Sequence, residues 1–99
     1  MSRVVIHDRG DSVGVAVEDV RAGDDVEVVY IVDKLVVGKV RALENIPLGH
    51  KIALKDIKTG DRVIKYGRPI GVATRDIRAG EHVHTHNLKS IRWGGLTRR

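Results

Sequence analysis

The chain has 99 residues and a mass of 10.9 kDa, which is enough for a single domain. It carries 18 basic and 13 acidic residues, so its formal net charge is +5. There is no cysteine, which excludes disulfides, thiol catalysis and an iron–sulfur cluster held by this chain alone. No apolar run approaches the roughly 20 residues of a membrane helix, and the start lacks a signal-peptide core, so we expect a cytoplasmic protein.

Short segments rich in β-branched residues recur along the chain. Val and Ile together number 25 and Phe is absent, a composition that favours strands over helices. Turn residues separate eight predicted strands, at residues 4–7, 12–18, 26–32, 35–41, 51–54, 62–66, 70–74 and 82–87. Asp33 and Lys34 are predicted to form a two-residue hairpin turn. The pattern predicts an all-β domain: a small barrel, a sandwich or a β-clip.

A six-residue motif occurs four times, beginning with Asp-Val-Arg-Ala-Gly-Asp at residues 19–24 and recurring at 45–50, 56–61 and 76–81. We interpret each copy as a corner in the chain. The opening Asp or Asn bonds nearby backbone amides, the Val or Ile fills the core, and the Gly takes a positive φ. His50 stands where the other three copies have an acid, which marks it as a candidate functional residue. The alternative is a solvent-exposed histidine after a turn.

Three histidines alternate in the predicted strand 82–87. On a strand, His82, His84 and His86 project from one face, where imidazoles suit metal binding or proton transfer. Successive members would lie about 7 Å apart, so all three cannot readily bind one ion unless the strand bends or bulges. A structural or solvent-facing role is the alternative.

Basic residues accompany these histidines in the second half of the chain. Lys65 precedes a Gly/Pro turn and Lys51 follows His50, and ammonium groups in such places can hold a carboxylate. A solvated surface hairpin is the alternative. The net charge is −3 for residues 1–45 and +4 for residues 46–88. The last eleven residues contain four basic groups and no acidic group. Binding to RNA is disfavoured because the three aromatic residues lie in separate segments.

The blocks at 46–54, 63–67 and 80–87, which include Pro-x-Gly-His-Lys and His-Val-His-x-His-Asn, resemble the SAF domain of the altronate and galactarate dehydratases. The segments 10–16 and 87–93 are also similar to the small subunits of sulfolactate sulfo-lyases. The resemblance covers roughly residues 7–93. It implies a β-clip fold for residues 1–93, followed by a flexible basic tail at 94–99.

The resemblance also implies a function. A chain of this size is similar to the small subunit of a lyase that eliminates water or sulfite from a hydroxy acid together with a large subunit, and it should be inactive alone. The implied cofactor is iron(II), held mainly by the large subunit. His50, His84 and His86 are the implied catalytic residues, with His84 and His86 as shared metal ligands. Lys51 and Lys65 are the implied contacts to an anionic sugar-acid or other hydroxy-acid substrate. A non-catalytic carbohydrate-binding module is the alternative, and self-association stays open.

Overall fold

The computed structural model describes residues 2–90, and the tail expected at 94–99 lies outside them. The described residues form nine strands and no helix. They therefore include no helical segment that could cross a membrane. The strands are β1 (Ser2–Ile6), β2 (Val13–Ala16), β3 (Asp25–Tyr30), β4 (Val36–Arg41), β5 (Lys51–Ala53), β6 (Arg62–Lys65), β7 (Arg68–Ala73), β8 (His82–Val83) and β9 (Leu88–Ser90). The all-β prediction is confirmed, and the architecture is consistent with a β-clip.

The strands form two sheets, with the order β4-β3-β1-β2-β5-β8 in the larger and β6-β7-β9 in the smaller. β1 and β3 pair in parallel, and the other neighbours are antiparallel. Two apolar clusters form the core, and both β2 and β5 contribute to each of them. On β5, Ile52 packs in the first cluster and Ala53 in the second, and neither side chain is accessible to solvent. β5 is therefore fixed where the two cores meet.

The turn before β2 joins the two sheets. The backbone N–H of Ser12 donates to the Ile64 carbonyl at 2.9 Å, and the Ser12 hydroxyl oxygen accepts from the Ile64 N–H at 2.7 Å. Asp11 is buried and accepts a hydrogen bond from the Gly67 N–H at 2.8 Å. Because these bonds hold the end of β6 beside β2, they also bring Lys65 toward β5, which is the other neighbour of β2.

The four repeated motifs are corners, as predicted. Their glycines have φ values between 84° and 95° and are Gly23, Gly49, Gly60 and Gly80. Their apolar residues are at most 3% exposed and are Val20, Ile46, Ile57 and Ile77. Only glycine adopts such positive φ values without strain, and the buried aliphatic residue secures each corner to the core. The repeat therefore reports a recurring structural need of this fold.

The opening Asp or Asn of each corner does not bond its own turn, so that part of the prediction is wrong. The corners pair, and each opening side chain accepts from a backbone N–H of its partner corner. Asp19 accepts from Leu48 at 2.8 Å, and Asn45 accepts from Ala22 at 2.9 Å. The other two corners repeat the exchange through Asp56 with Ala79 and Asp76 with Thr59. Sequence periodicity reveals the corners but cannot reveal which ones meet.

Two other predictions need correction. The strand predicted at 82–87 ends at Val83, because the His84 carbonyl accepts from the N–H groups of Asn87 and Leu88 and thereby closes a turn. β9 follows this turn and was not predicted. The hairpin between β3 and β4 has a five-residue loop at 31–35 in place of a two-residue turn. Lys34 takes a positive φ of 61° there, and its backbone N–H donates to the Tyr30 carbonyl.

Gly71 in β7 has no room for a side chain. An added Cβ would lie 2.5 Å from the Lys89 carbonyl oxygen and 2.6 Å from Leu88 Cδ1 on β9. We expect Gly71→Ala to lower the free energy of unfolding by about 1–3 kcal/mol, because β9 must move to relieve the overlap. Urea denaturation measures the loss. Gly38→Ala is the matched control, since its Cβ would meet nothing closer than 4.0 Å; equal stability of the two variants would contradict the prediction.

Asp76 makes stability sensitive to acid. Hydrogen bonds from the backbone N–H and the hydroxyl of Thr59 lower the pKa of Asp76. Because the folded pKa lies below the unfolded one, the stabilisation is present above about pH 4 and is lost as the pH falls below that value. Asp76→Asn retains the acceptor oxygen without the titration, as Asn45 does in another corner. Urea midpoints measured from pH 5.5 to pH 3 should therefore fall less steeply in the variant than in the parent chain.

Candidate functional site

Three imidazoles meet where β5 pairs with β8 at the end of the larger sheet. In this antiparallel pair Lys51 lies opposite Val83, so the residues just outside it, His50 and His84, also come together. Their ring centroids are 4.6 Å apart. His82 lies beside both, and its Nε2 atom is 2.8 Å from Nδ1 of His50. One nitrogen from each of the three rings lies within 4.8 Å of the others.

A buried amide holds the backbone that carries two of these rings. Asn87 is 1% exposed. Its Oδ1 atom accepts from the His84 N–H at 2.9 Å, and its Nδ2 atom donates to the His82 carbonyl at 2.8 Å. Glu44 holds the cluster from outside by accepting from the His82 N–H at 3.0 Å. The chain therefore bends sharply after Val83, and this bend brings His84 back beside His82.

The imidazoles of His82 and His84 are biased toward their neutral form. Desolvation, followed by the positive charges of His50, His84 and His86, lowers the pKa of His82, although Glu44 opposes the shift. Desolvation, His50 and Lys51 likewise lower the pKa of His84. A neutral imidazole can accept a proton or ligate a metal, whereas its protonated form can do neither. The crowding of basic groups therefore favours the reactive state.

Two half-buried lysines stand next to the imidazole cluster. Partial burial, followed by repulsion from Lys65, lowers the pKa of Lys51. Lys51 acts in the same direction on His84, so the two lysines and the cluster share one region of positive potential. Neither lysine is in an ion pair with a described acidic side chain. The arrangement can attract and hold a carboxylate.

The histidines that the resemblance implies for the site are only partly those that the structure brings together. His50 and His84 come together, with Lys51 and Lys65 nearby, as the resemblance implies. His86 is exposed, and its ring lies 5.5 Å from that of His82 but outside the three-nitrogen group. His82 takes the place of His86 in that group, a role that the sequence resemblance does not imply. Asn87 was also missed; its turn-forming residue type, three positions after His84, was the available signal.

The donor set suits a transition-metal ion. Three imidazole nitrogens match the preferences of iron, zinc, nickel or copper, whereas magnesium and calcium prefer oxygen ligands. Two nitrogen ligands held at a right angle, each about 2.0–2.1 Å from a metal ion, lie roughly 2.9 Å apart. The separation of 2.8 Å between Nδ1 of His50 and Nε2 of His82 is close to this value. The described residues therefore fit the metal that the sequence resemblance implies.

A family model described as "Altronate/galactarate dehydratase SAF domain" matches residues 2–91. The chain belongs to this SAF domain family. The match includes all nine strands and every residue of the histidine and lysine cluster. The resemblance seen in the sequence is thereby confirmed.

Relatives of this SAF domain chain fall into two size classes. It is 42% identical over 90 residues to the (2R)-sulfolactate sulfo-lyase subunit alpha of Chromohalobacter salexigens, covering 90% of this chain and 95% of the relative. The same subunit of Paracoccus pantotrophus is 53% identical over 55 residues, covering 56% of this chain and 82% of the relative. The altronate dehydratase of Bacillus subtilis is 38% identical over 89 residues, which are 90% of this chain but 16% of that enzyme.

Proposed function

We propose that this chain is the small subunit of a hydroxy-acid lyase of the altronate/galactarate dehydratase type, which eliminates water or sulfite together with a separate large subunit. The observation that carries the proposal is that the imidazoles of His50, His82 and His84 lie next to two half-buried lysines, Lys51 and Lys65. The lowered pKa of His82 favours its neutral form. The near-complete coverage of a sulfo-lyase subunit alpha supports the small-subunit role.

The proposed reaction is a β-elimination. A base removes the proton from the carbon next to the carboxylate, and the electron pair left behind forms a carbon–carbon double bond. Hydroxide or sulfite leaves the neighbouring carbon with its own bonding pair, and hydroxide takes up a proton as water. The resulting enol loses its hydroxyl proton and gains a proton at carbon, and so becomes a keto acid. The step is costly because negative charge develops on the substrate carboxylate as the first proton leaves.

Residues of this chain suit three tasks in that reaction. Lys51 and Lys65 hold the substrate carboxylate and counter the charge that develops on it. Whichever of His50 and His84 does not ligate the metal ion accepts the proton, since a neutral imidazole is a competent base near neutral pH. His86, which lies beside His82 at the exposed side of the cluster, supplies the proton to the leaving group.

Iron(II) is the cofactor that we propose for the assembled enzyme, with the large subunit supplying most of its ligands. His84 is the best-placed ligand from this chain, because it belongs both to the implied pair with His86 and to the three-nitrogen group. When bound, the ion supplies Lewis acidity that stabilises charge on the substrate oxygens.

A partner subunit is supported by apolar surface away from the site. The loop between β3 and β4 and the start of β4 expose Val32 (66%), Leu35 (59%) and Val36 (50%). Clustered exposed aliphatic residues of this kind mark protein interaction surfaces. The imidazole cluster is itself at the surface, so a second chain is needed to exclude water from it. These features are the reason we expect the isolated chain to be inactive.

The experiment is co-expression of this chain with a dehydratase-type large subunit from the same genome. We expect a stable complex that turns over one of altronate, galactarate or sulfolactate when iron(II) is supplied, and neither chain alone should do so. A stable complex that is inactive on all three acids with iron(II) would contradict the proposal. Binding of a sugar acid by this chain alone, with an inactive complex, would instead support the carbohydrate-binding module.

A further inference from the structure

The three-nitrogen group differs from the ligand pair of the proposed function in a way that can be tested. His50 ends one corner and His82 and His84 flank the end of β8, so two separate chain segments supply the ligands. All three positions are defined within this chain, by the β5–β8 pairing and by Asn87. No group from another subunit is needed to bring the rings together.

We infer that this chain by itself binds one divalent transition-metal ion through His50, His82 and His84, with His86 not required. The inference deepens the proposed function and uses the same site, but it assigns the ion to the small subunit and replaces one ligand. Because a ligated imidazole cannot accept a proton, the base that removes the substrate proton would then come from the large subunit. It predicts an ion that is already seated before the large subunit docks.

The distances support three ligands on one ion. Imidazole nitrogens bound at about 2.0–2.1 Å lie roughly 2.9 Å apart at a right angle and roughly 3.3 Å apart at a tetrahedral angle. His50 and His82 already meet the first value with a separation of 2.8 Å. The His84 nitrogen lies within 4.8 Å of both, so a rotation of this ring brings it into range.

Hydrogen bonds to the backbone around the three histidines favour the same set. Ligating residues bind more tightly when neighbouring groups fix their orientation. Asn87 fixes the backbone on both sides of Val83, and Glu44 fixes the His82 N–H. The backbone of His50 is held as well, because its carbonyl accepts from the Ala16 N–H at 2.9 Å and its N–H donates to the Pro47 carbonyl at 2.9 Å. The side chain of His86 has no such support among the described contacts.

Three imidazoles leave positions on the ion that the protein does not fill. A transition metal bound by three protein ligands keeps an open position for water or substrate, which is the arrangement of catalytic zinc sites. The positive charge of Lys51 acts on His84, and that of Lys65 acts on Lys51. A carboxylate attracted by these lysines would therefore come close to the open positions.

The test is titration of the purified 99-residue chain, without any large subunit, with Co²⁺ and Zn²⁺. We expect one ion per chain, visible for Co²⁺ as ligand-field absorption and for Zn²⁺ as heat of binding, and no binding of Ca²⁺. His50→Ala, His82→Ala and His84→Ala should each weaken binding by more than about tenfold. His86→Ala should bind as the parent chain does, and so should His7→Ala, because His7 lies against Tyr66 and is not in the three-nitrogen group.

Several results would overturn the inference. They are absence of binding to the folded parent chain, full affinity in His82→Ala, and equal loss in His86→Ala. Circular dichroism establishes that each variant is folded, and His82→Gln provides a second variant if His82→Ala is not. The proposed function is tested separately, since an active complex built from a chain that binds no metal would contradict this inference and leave the function standing. If the chain binds the metal ion but the complex is inactive, the result would support this inference and contradict the proposed function.

Discussion

Replacing His84 with alanine should reduce turnover by the assembled lyase by about 10²–10⁴-fold, because the change removes either the general base or a ligand of the ion that stabilises the developing charge. His84 faces His50 across the β5–β8 pair, and the positive charge of Lys51 acts on it. The side chain makes no hydrogen bond within residues 2–90, so the fold should tolerate its removal. We expect kcat to fall far more than KM rises, because substrate binding depends mainly on the lysines.

The His84 experiment needs a control that also removes an exposed imidazole. His7→Ala serves, since His7 lies against Tyr66 in the turn region that joins the sheets. The complex carrying His7→Ala should retain full turnover. Full turnover in both His84→Ala and His86→Ala would remove the catalytic assignment. Urea midpoints of the isolated chains, measured alongside, show whether any loss of turnover arises from unfolding.

The corners illustrate how much of the fold could be predicted from sequence. A Gly that takes a positive φ and a buried aliphatic residue are local requirements, and each leaves a residue type at a fixed position. The repeat therefore reveals all four corners. It also reveals His50, because the position after the glycine is an acid in the other three. In two of those corners the acid accepts from its own turn, as Asp24 does from Arg21 and Asp61 from Lys58.

The histidine cluster could be predicted only in part, because the decisive contacts are between distant segments. Period-two alternation places His82, His84 and His86 on one face only if the strand continues through all of them. It ends at Val83, where the buried Asn87 side chain bonds both flanking residues. The bend replaces a row of separated imidazoles with a compact group. A pattern rule for strands cannot include a turn that one buried side chain imposes.

Comparison of the corners indicates how this fold accommodates a site. Corners that end in Asp24 or Asp61 use that side chain to satisfy their own backbone. In the corner that ends in His50 the equivalent position is Pro47, which has no N–H to satisfy, and the His50 ring is directed instead to His82. The corner still closes, because the His50 N–H donates to the Pro47 carbonyl as the corresponding N–H groups do elsewhere. The fold thus supplies a turn whose last side chain is free to acquire a function.

Asn87→Ala should strongly destabilise the free chain. It removes both side-chain hydrogen bonds and leaves the His84 N–H and the His82 carbonyl without those partners. An unsatisfied buried polar group costs about 1–3 kcal/mol, so we expect the free energy of unfolding to fall by about 2–5 kcal/mol. Total stabilities of small domains are only about 5–15 kcal/mol. Urea denaturation of the variant measures the loss, and Thr85→Ala, an exposed change in the same turn, should cost little.

Asn87 acts through the two histidines, so a second readout must separate positioning from general stability. Asn87→Asp keeps an oxygen that can accept from the His84 N–H, but it loses the donor to the His82 carbonyl. We expect the folded variant to bind Co²⁺ more than about tenfold more weakly than the parent chain. Loss of the contacts that orient metal ligands typically weakens metal binding by this factor or more. Val26→Ala is the matched control, because it opens a cavity in the core on β3, three strands away from β5 in the larger sheet. If both variants retain the parent affinity for Co²⁺, Asn87 stabilises the turn without positioning the imidazoles.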